Sequence, residues 1–226
     1  MEKLILASVV AMTVVAVSAW AQDPTIADWT FDTSAPTTAG PYNPEIGAGS
    51  AWGSGLNVYS SPAGNGSAHS FSANGWATAS PTTNDYWEFE VSTLGLSGIT
   101  VTYDQNGSST GPRDFVFQYS TDGTTFTPVG SQYSLASGIT WSTTGSPQGT
   151  HESDDLSSIT ALNNQSTVYF RIVDNSTVDI AGGAVGASGT DRVDNFLVTA
   201  AIPEPSTVLL VGAGLVGLLA IRRRRS

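Results

Sequence analysis

The chain has 226 residues, no cysteine and a formal net charge of −11. Its central region, residues 22–202, carries only Arg113, Arg171 and Arg192 as cations against 17 acidic side chains, so it repels nucleic acid and anionic lipid, whose recognition needs Lys and Arg on phosphate. Without cysteine, thiol catalysis, disulfides and Cys-type zinc sites are excluded, and the region must hold itself together by its core.

Residues 1–21 read as a signal peptide. Lys3 supplies the positive n-region, an apolar run spans Leu4 to Val17, and Ala19-Trp20-Ala21 is the small-x-small pattern that signal peptidase cleaves. Residues 22–202 then show no helical period. They alternate short β-rich runs with clusters of Gly, Asn, Asp, Ser and Pro, the pattern of an all-β, antiparallel sandwich or barrel.

The expected strands, in chain order, are 27–32, 86–92, 99–104, 114–120, 167–173 and 192–199, with weaker ones near 56–60 and 68–72. In YWEFEVS, Trp87, Phe89 and Val91 alternate with Tyr86, Glu88 and Glu90, which predicts one apolar face and one wet face. In DFVFQYS, Phe115, Phe117 and Tyr119 share a face. Asp122-Gly123 supplies hairpin turn chemistry, because Gly accepts the positive φ of a tight turn. The remainder of 33–80 is expected to form ordered loops and edge strands.

The segment YSTDGTTFTPV (119–129) resembles a hairpin of extracellular jelly-roll domains of the galactose-binding-like and carbohydrate-binding-module type. The Asp194-Asn195 step in the last strand fits the same resemblance. It implies a jelly-roll-like β-sandwich, in which the first and last strands are neighbours and their carboxylates can share a structural Ca²⁺. Asp28 and Asp32 on the first strand, with Asp191 and Asp194 on the last, are the candidate calcium ligands; Ca²⁺ takes six to eight oxygens from such groups. The competing expectation is that these acids are solvated, or that one pairs with Arg192.

Catalytic constellations are sparse. Glu88 and Glu90 point to one side of a strand, with Cα atoms roughly 6.6–6.8 Å apart, which is the one arrangement here with a glycosidase flavour. A solvated strand face is the expected role. His69 and His151 sit in no nucleophile motif, and there is no Walker loop, dinucleotide fingerprint or HExxH. Aromatic platforms remain. Trp29 and Trp87 fall in strong strand patterns and belong to the core, whereas Trp52, Trp76 and Trp141 lie in loop-like contexts and are candidates to stack on sugar rings.

The chain ends IPEPSTVLLVGAGLVGLLAIRRRRS. Pro203-Glu204-Pro205 enforces extended backbone, and Ser206 is placed to cap a following helix. Residues 207–221 carry no charge and would span roughly 22 Å as a helix, short of the roughly 30 Å hydrocarbon core. Arg222, Arg223, Arg224 and Arg225 compensate by snorkelling and should remain cytoplasmic. Pro-Glu-Pro, short apolar helix and basic cluster, in that order and with a signal peptide, closely resemble the PEP-CTERM sorting signal. The resemblance implies processing by exosortase in the inner membrane of a Gram-negative bacterium, after transient anchoring there. It also implies association with exopolysaccharide, biofilm or envelope surfaces. Residues 203–226 thus form a sorting element behind the 22–202 domain. For that domain the expected role is a non-catalytic surface or matrix protein that contacts polysaccharide; a secreted β-sandwich glycan hydrolase is the alternative.

Overall fold

The computed structural model describes residues 23–76, 84–144 and 149–201. The expected signal peptide, with Ala19 and Ala21, and the element at 203–226 lie outside the described residues. Strands follow the order β1 (Thr25–Trp29), β2 (Ile46–Gly47), β3 (Gly49–Ser54), β4 (Tyr59–Ser60), β5 (Phe71–Ala73), β6 (Tyr86–Val91) and β7 (Ser97–Gly107). They continue with β8 (Asp114–Ser120), β9 (Thr127–Pro128), β10 (Tyr133–Ser134), β11 (Thr150–Asp155), β12 (Val168–Asp174) and β13 (Asp191–Ala201). All pairings are antiparallel and fall into two sheets. One sheet runs β11-β7-β13-β1-β2, with β5 also on β13 and β4 on β5. The other runs β10-β8-β12-β6-β3, with β9 on β8.

All six strong strands expected from alternation are present. Period-2 burial shows why: Trp87, Phe89 and Val91 point inward from β6, as do Phe115 and Phe117 from β8. The two sheets meet through stacked Phe89 and Phe196, with ring centroids 3.5 Å apart and an interplanar angle of 3°. Trp29 packs edge-on against both rings, and Tyr103 joins Phe196 to Phe117. A second aromatic group, Phe71, Trp76, Trp87 and Phe115, closes the core towards β5.

The expected first strand 27–32 ends early, at Trp29, because Phe31 takes φ +54 to reach the core. A bulge interrupts β13 at Asn195, whose φ is +51, so Asp194 and Leu197 keep register with β7 while Asn195 swings out. Two six-residue strands, β3 and β11, were not among those named from the sequence. β3 reads GSAWGS, a composition poor in β-formers, but its glycines make room for large neighbours. A Cβ on Gly49 would lie 2.8 Å from the Trp29 ring, and one on Gly53 would lie 2.9 Å from the Trp87 ring. β11 reads THESDD; it has almost no apolar content and survives as an edge strand on the long β7.

Candidate glycan-binding face and polar network

The outer face of the six-stranded sheet is built by the same alternation that fills the core. Registered neighbours across β3, β6, β12 and β8 form a central row of Trp52, Glu88, Arg171 and Gln118. Ser54, Tyr86, Val173 and Val116 form the row on one side; Ser50, Glu90, Tyr169 and Ser120 form the row on the other. Trp52, Tyr86, Tyr169, Glu90 and Gln118 are all partly exposed. The expected hairpin at Asp122-Gly123 folds onto this face. Gly123 has φ +70 and lies over the Tyr169 ring, while Asp122 Oδ1 accepts the Thr124 and Thr125 amides at 2.8 and 2.7 Å. Those amides hold the Asp122 carboxyl well below the usual carboxylate range.

The wet-face expectation holds for Glu90 and fails for Glu88, which is only 4% exposed. Arg171 Nε donates to Glu88 Oε2, and the guanidinium is sandwiched 3.9 Å from the Tyr86 ring centroid and 3.5 Å from that of Phe126. Burial pushes the Glu88 carboxyl up, against the opposing pull of the Arg171 hydrogen bond and charge. A retaining glycosidase requires two carboxyl groups free to face the sugar. Here one of the two is committed to an arginine.

Of the three tryptophans considered as sugar platforms, the structure leaves Trp52 at the surface. It stands on the edge strand β3, beside a depression of about 410 Å³ lined by Ala39, Gly40, Pro41, Ser50 and Gly53. Trp76 is a core residue at 1% exposure. It lies edge-on to Trp87 and Phe115, with Nε1 donating to the Ala73 carbonyl at 2.9 Å. Trp141 is 4% exposed and lies under the Arg192 guanidinium. Both sit in loop-like sequence, but these loops fold back onto the sheets, so the expectation of exposed rings is corrected for these two.

β1 and β13 are neighbours, as expected, but their aspartates do not gather into one donor set. Asp28 sits beside Glu45, and burial and that neighbouring charge push its carboxyl up. Asp32 accepts the Ala68 amide at 2.6 Å. Asp191 is fully buried and receives Gln105 Nε2 on both oxygens. Asp194, also fully buried, accepts Ser67 Oγ at 2.6 Å and the Asn65 amide at 2.7 Å, and burial pushes it up to about 7. Among the described residues, no three Asp, Glu or His side chains come together as a metal set. Strand alternation explains this. Three positions apart in regular register on β13, Asp191 and Asp194 lie on opposite faces, and Asp194 meets Asn65 and Ser67 of the 61–70 loop.

What forms instead is a polar network that pins this loop to the seven-stranded sheet. Asp104 Oδ2 accepts Asn65 Nδ2 at 3.0 Å and Asn195 Nδ2 at 2.8 Å, and Asp104 Oδ1 lies 2.7 Å from His151 Nδ1. Ser67 donates to Asp194, so the serine and histidine nearest these acids belong to different contacts. No local pattern announces this network, because its members are separated by up to 130 residues. The one available signal was the Asp194-Asn195 step itself.

Residues 201–225 match the PEP-CTERM protein-sorting motif. No curated protein is similar to the chain at a significant level. Solved structures similar to it include the K3 cleaved adhesin domain of Lys-gingipain from Porphyromonas gingivalis. That match is 14% identical, covers 78% of this chain and 99% of that one, and has a TM-score of 0.43. The CBM22-1 xylan-binding domain from Paenibacillus barcinonensis is 10% identical, with 79% and 95% coverage and a TM-score of 0.42. A family 30 carbohydrate-binding module of a cellulosomal cellulase from Clostridium thermocellum is 13% identical, with 79% and 94% coverage and a TM-score of 0.34.

Proposed function

We propose that the protein is an exported, exosortase-processed component of the cell surface or extracellular matrix, whose β-sandwich binds polysaccharide without cleaving it. The export and processing part rests on the motif at 201–225. The binding part rests on one observation: the outer face of the six-stranded sheet carries Trp52, Tyr86 and Tyr169 interleaved with Glu90 and Gln118. A flat π-face meets the C–H face of a pyranose, and neighbouring polar groups meet its hydroxyls. The Glu88–Arg171 pair, in the same row as Trp52, ties β6 to β12 within this face. In this reading the 207–221 segment anchors the chain in the inner membrane, with Arg222–Arg225 cytoplasmic, until exosortase removes it.

The binding reading is tested on the full chain in detergent with an array of neutral and acidic glycans. Retention without release of new reducing ends is expected, and Trp52→Ala should weaken it at least tenfold while leaving the melting temperature within about 2 °C, as suits a partly exposed edge residue. Appearance of cleaved product would make the protein an enzyme. The sorting reading has its own experiment. Replacing Pro203, Glu204 and Pro205 with alanine should leave the full-length form in the inner-membrane fraction of the producing cell, whereas the unaltered chain loses its tail. Equal processing of both forms would remove the motif's role.

A further inference from the structure

The three arginines of residues 22–202 are treated differently by the fold. Arg113 is paired with Asp114 at 2.9 Å and Arg171 with Glu88. Among the described residues, Arg192 has no carboxylate within 4 Å. Its guanidinium donates from Nη1 to the Ala63 carbonyl at 3.1 Å and stacks 4.8 Å over the Trp141 ring. That fixes the fork while engaging one of five N–H donors. The group is also half-buried, and burial lowers its pKa against the opposing pull of the Asp191 and Asp194 charges, neither of which forms an ion pair with it.

Arg192 lines a cleft of about 540 Å³, within the usual range for ligand sites, where β4, β5, β7 and β13 come together at one end of the seven-stranded sheet. The walls are rich in hydroxyls, from Ser60, Ser72, Ser108, Ser109, Thr140 and Thr190, with Ile139 and Ile180 adding apolar surface. A single fixed guanidinium among hydroxyl groups suits a polyol that bears one negative charge, and a carboxylate matches the planar fork in a bidentate way. The strongly acidic surroundings disfavour a densely charged polyanion.

We propose that this cleft binds one uronate residue of an otherwise neutral glycan chain, with the sugar carboxylate on Arg192 and its hydroxyls on the serine and threonine wall. The site is separate from the Trp52 face and stands or falls independently of it.

Cellobiouronate, in which glucuronate is linked to glucose, is the probe, and cellobiose is its uncharged counterpart. Titration calorimetry on the full chain in detergent, with EDTA present to prevent a cation bridge, should show cellobiouronate binding at least tenfold more tightly than cellobiose. Arg192→Gln should lose at least tenfold for cellobiouronate and leave cellobiose unchanged, and Arg192→Lys should fall between the two. Ser109→Trp, an exposed position at the cleft wall, should abolish binding with an unchanged melt, so a folding defect cannot imitate the result. Trp52→Ala should leave this binding unaffected. Equal affinity for the two disaccharides, absence of binding, or full affinity in folded Arg192→Gln would overturn the site. Equal affinity for monosulfated cellobiose would overturn the carboxylate assignment.

Discussion

Acidifying the full chain from pH 7.5 to pH 5 should raise its melting temperature by about 5–10 °C. Burial pushes Asp194 up to about 7 and Asp174 and Asp154 up to about 6, and Asp191 is also held above its ordinary range. In the unfolded chain these groups titrate near 3.9. Between about pH 4 and pH 7 the folded state therefore binds protons that the unfolded state has released, and stability falls as pH rises through that window. Going the other way, acidification restores it. Asp114 and Asp122 act in the opposite sense, since hydrogen bonds hold them below the ordinary value, and their contribution is lost only below about pH 4. The stability maximum is thus expected near pH 4–5.

The size follows from the buried members. Asp174 and Asp194 are 1% and 0% exposed, and each pKa unit corresponds to about 1.4 kcal/mol, so together they contribute on the order of a few kcal/mol after relaxation. For a domain of this length each kcal/mol moves the melt by about 2–4 °C. Scanning calorimetry at pH 5, 6 and 7.5 measures the effect. Asp194→Asn should flatten the slope between pH 6 and 7.5. A melt that is level across the range, or lower at pH 5, would show that these carboxyls are ionised in the folded protein.

Arg171→Met should cost about 3–5 kcal/mol, the usual loss when one member of a buried pair is left without the other. Glu88 would keep its burial between β3 and β12 while losing its hydrogen bond, and Tyr86 and Phe126 would lose the cation between them. Replacing both members, Glu88→Leu together with Arg171→Met, should recover most of that loss, because no uncompensated charge remains. A double-mutant cycle from urea unfolding gives the coupling directly. Additive losses would mean that Glu88 and Arg171 are solvated independently, and would reopen Glu88 as a free acid on the outer face of the six-stranded sheet.

Local chemistry was legible in the residues. Alternation in YWEFEVS and DFVFQYS places the inward faces of β6 and β8, because side-chain direction in a strand is a local property of the backbone. Asp122-Gly123 fixes its turn through its own side-chain acceptor and a positive φ. The tail is likewise a linear signal, read from order and spacing over residues 201–225.

Partnership across the chain was not legible. Trp76 and Trp141 look like loop residues until the sheets close around them, and GSAWGS becomes a strand because Trp29 and Trp87 need the space its glycines leave. Glu88 looks wet until β12 brings Arg171 across from 83 positions away, and nothing beside Asp194 in the chain announces its hydrogen bonds from Asn65 and Ser67. The all-β class, the hairpin and the sorting element were legible in the residues, since each depends on neighbours along the chain. Only the packing of distant segments decided which acids are buried, that Trp52 reaches solvent while Trp76 and Trp141 do not, and that Arg192 forms no ion pair among the described residues. Those outcomes depend on desolvation and on contacts between segments far apart in the chain.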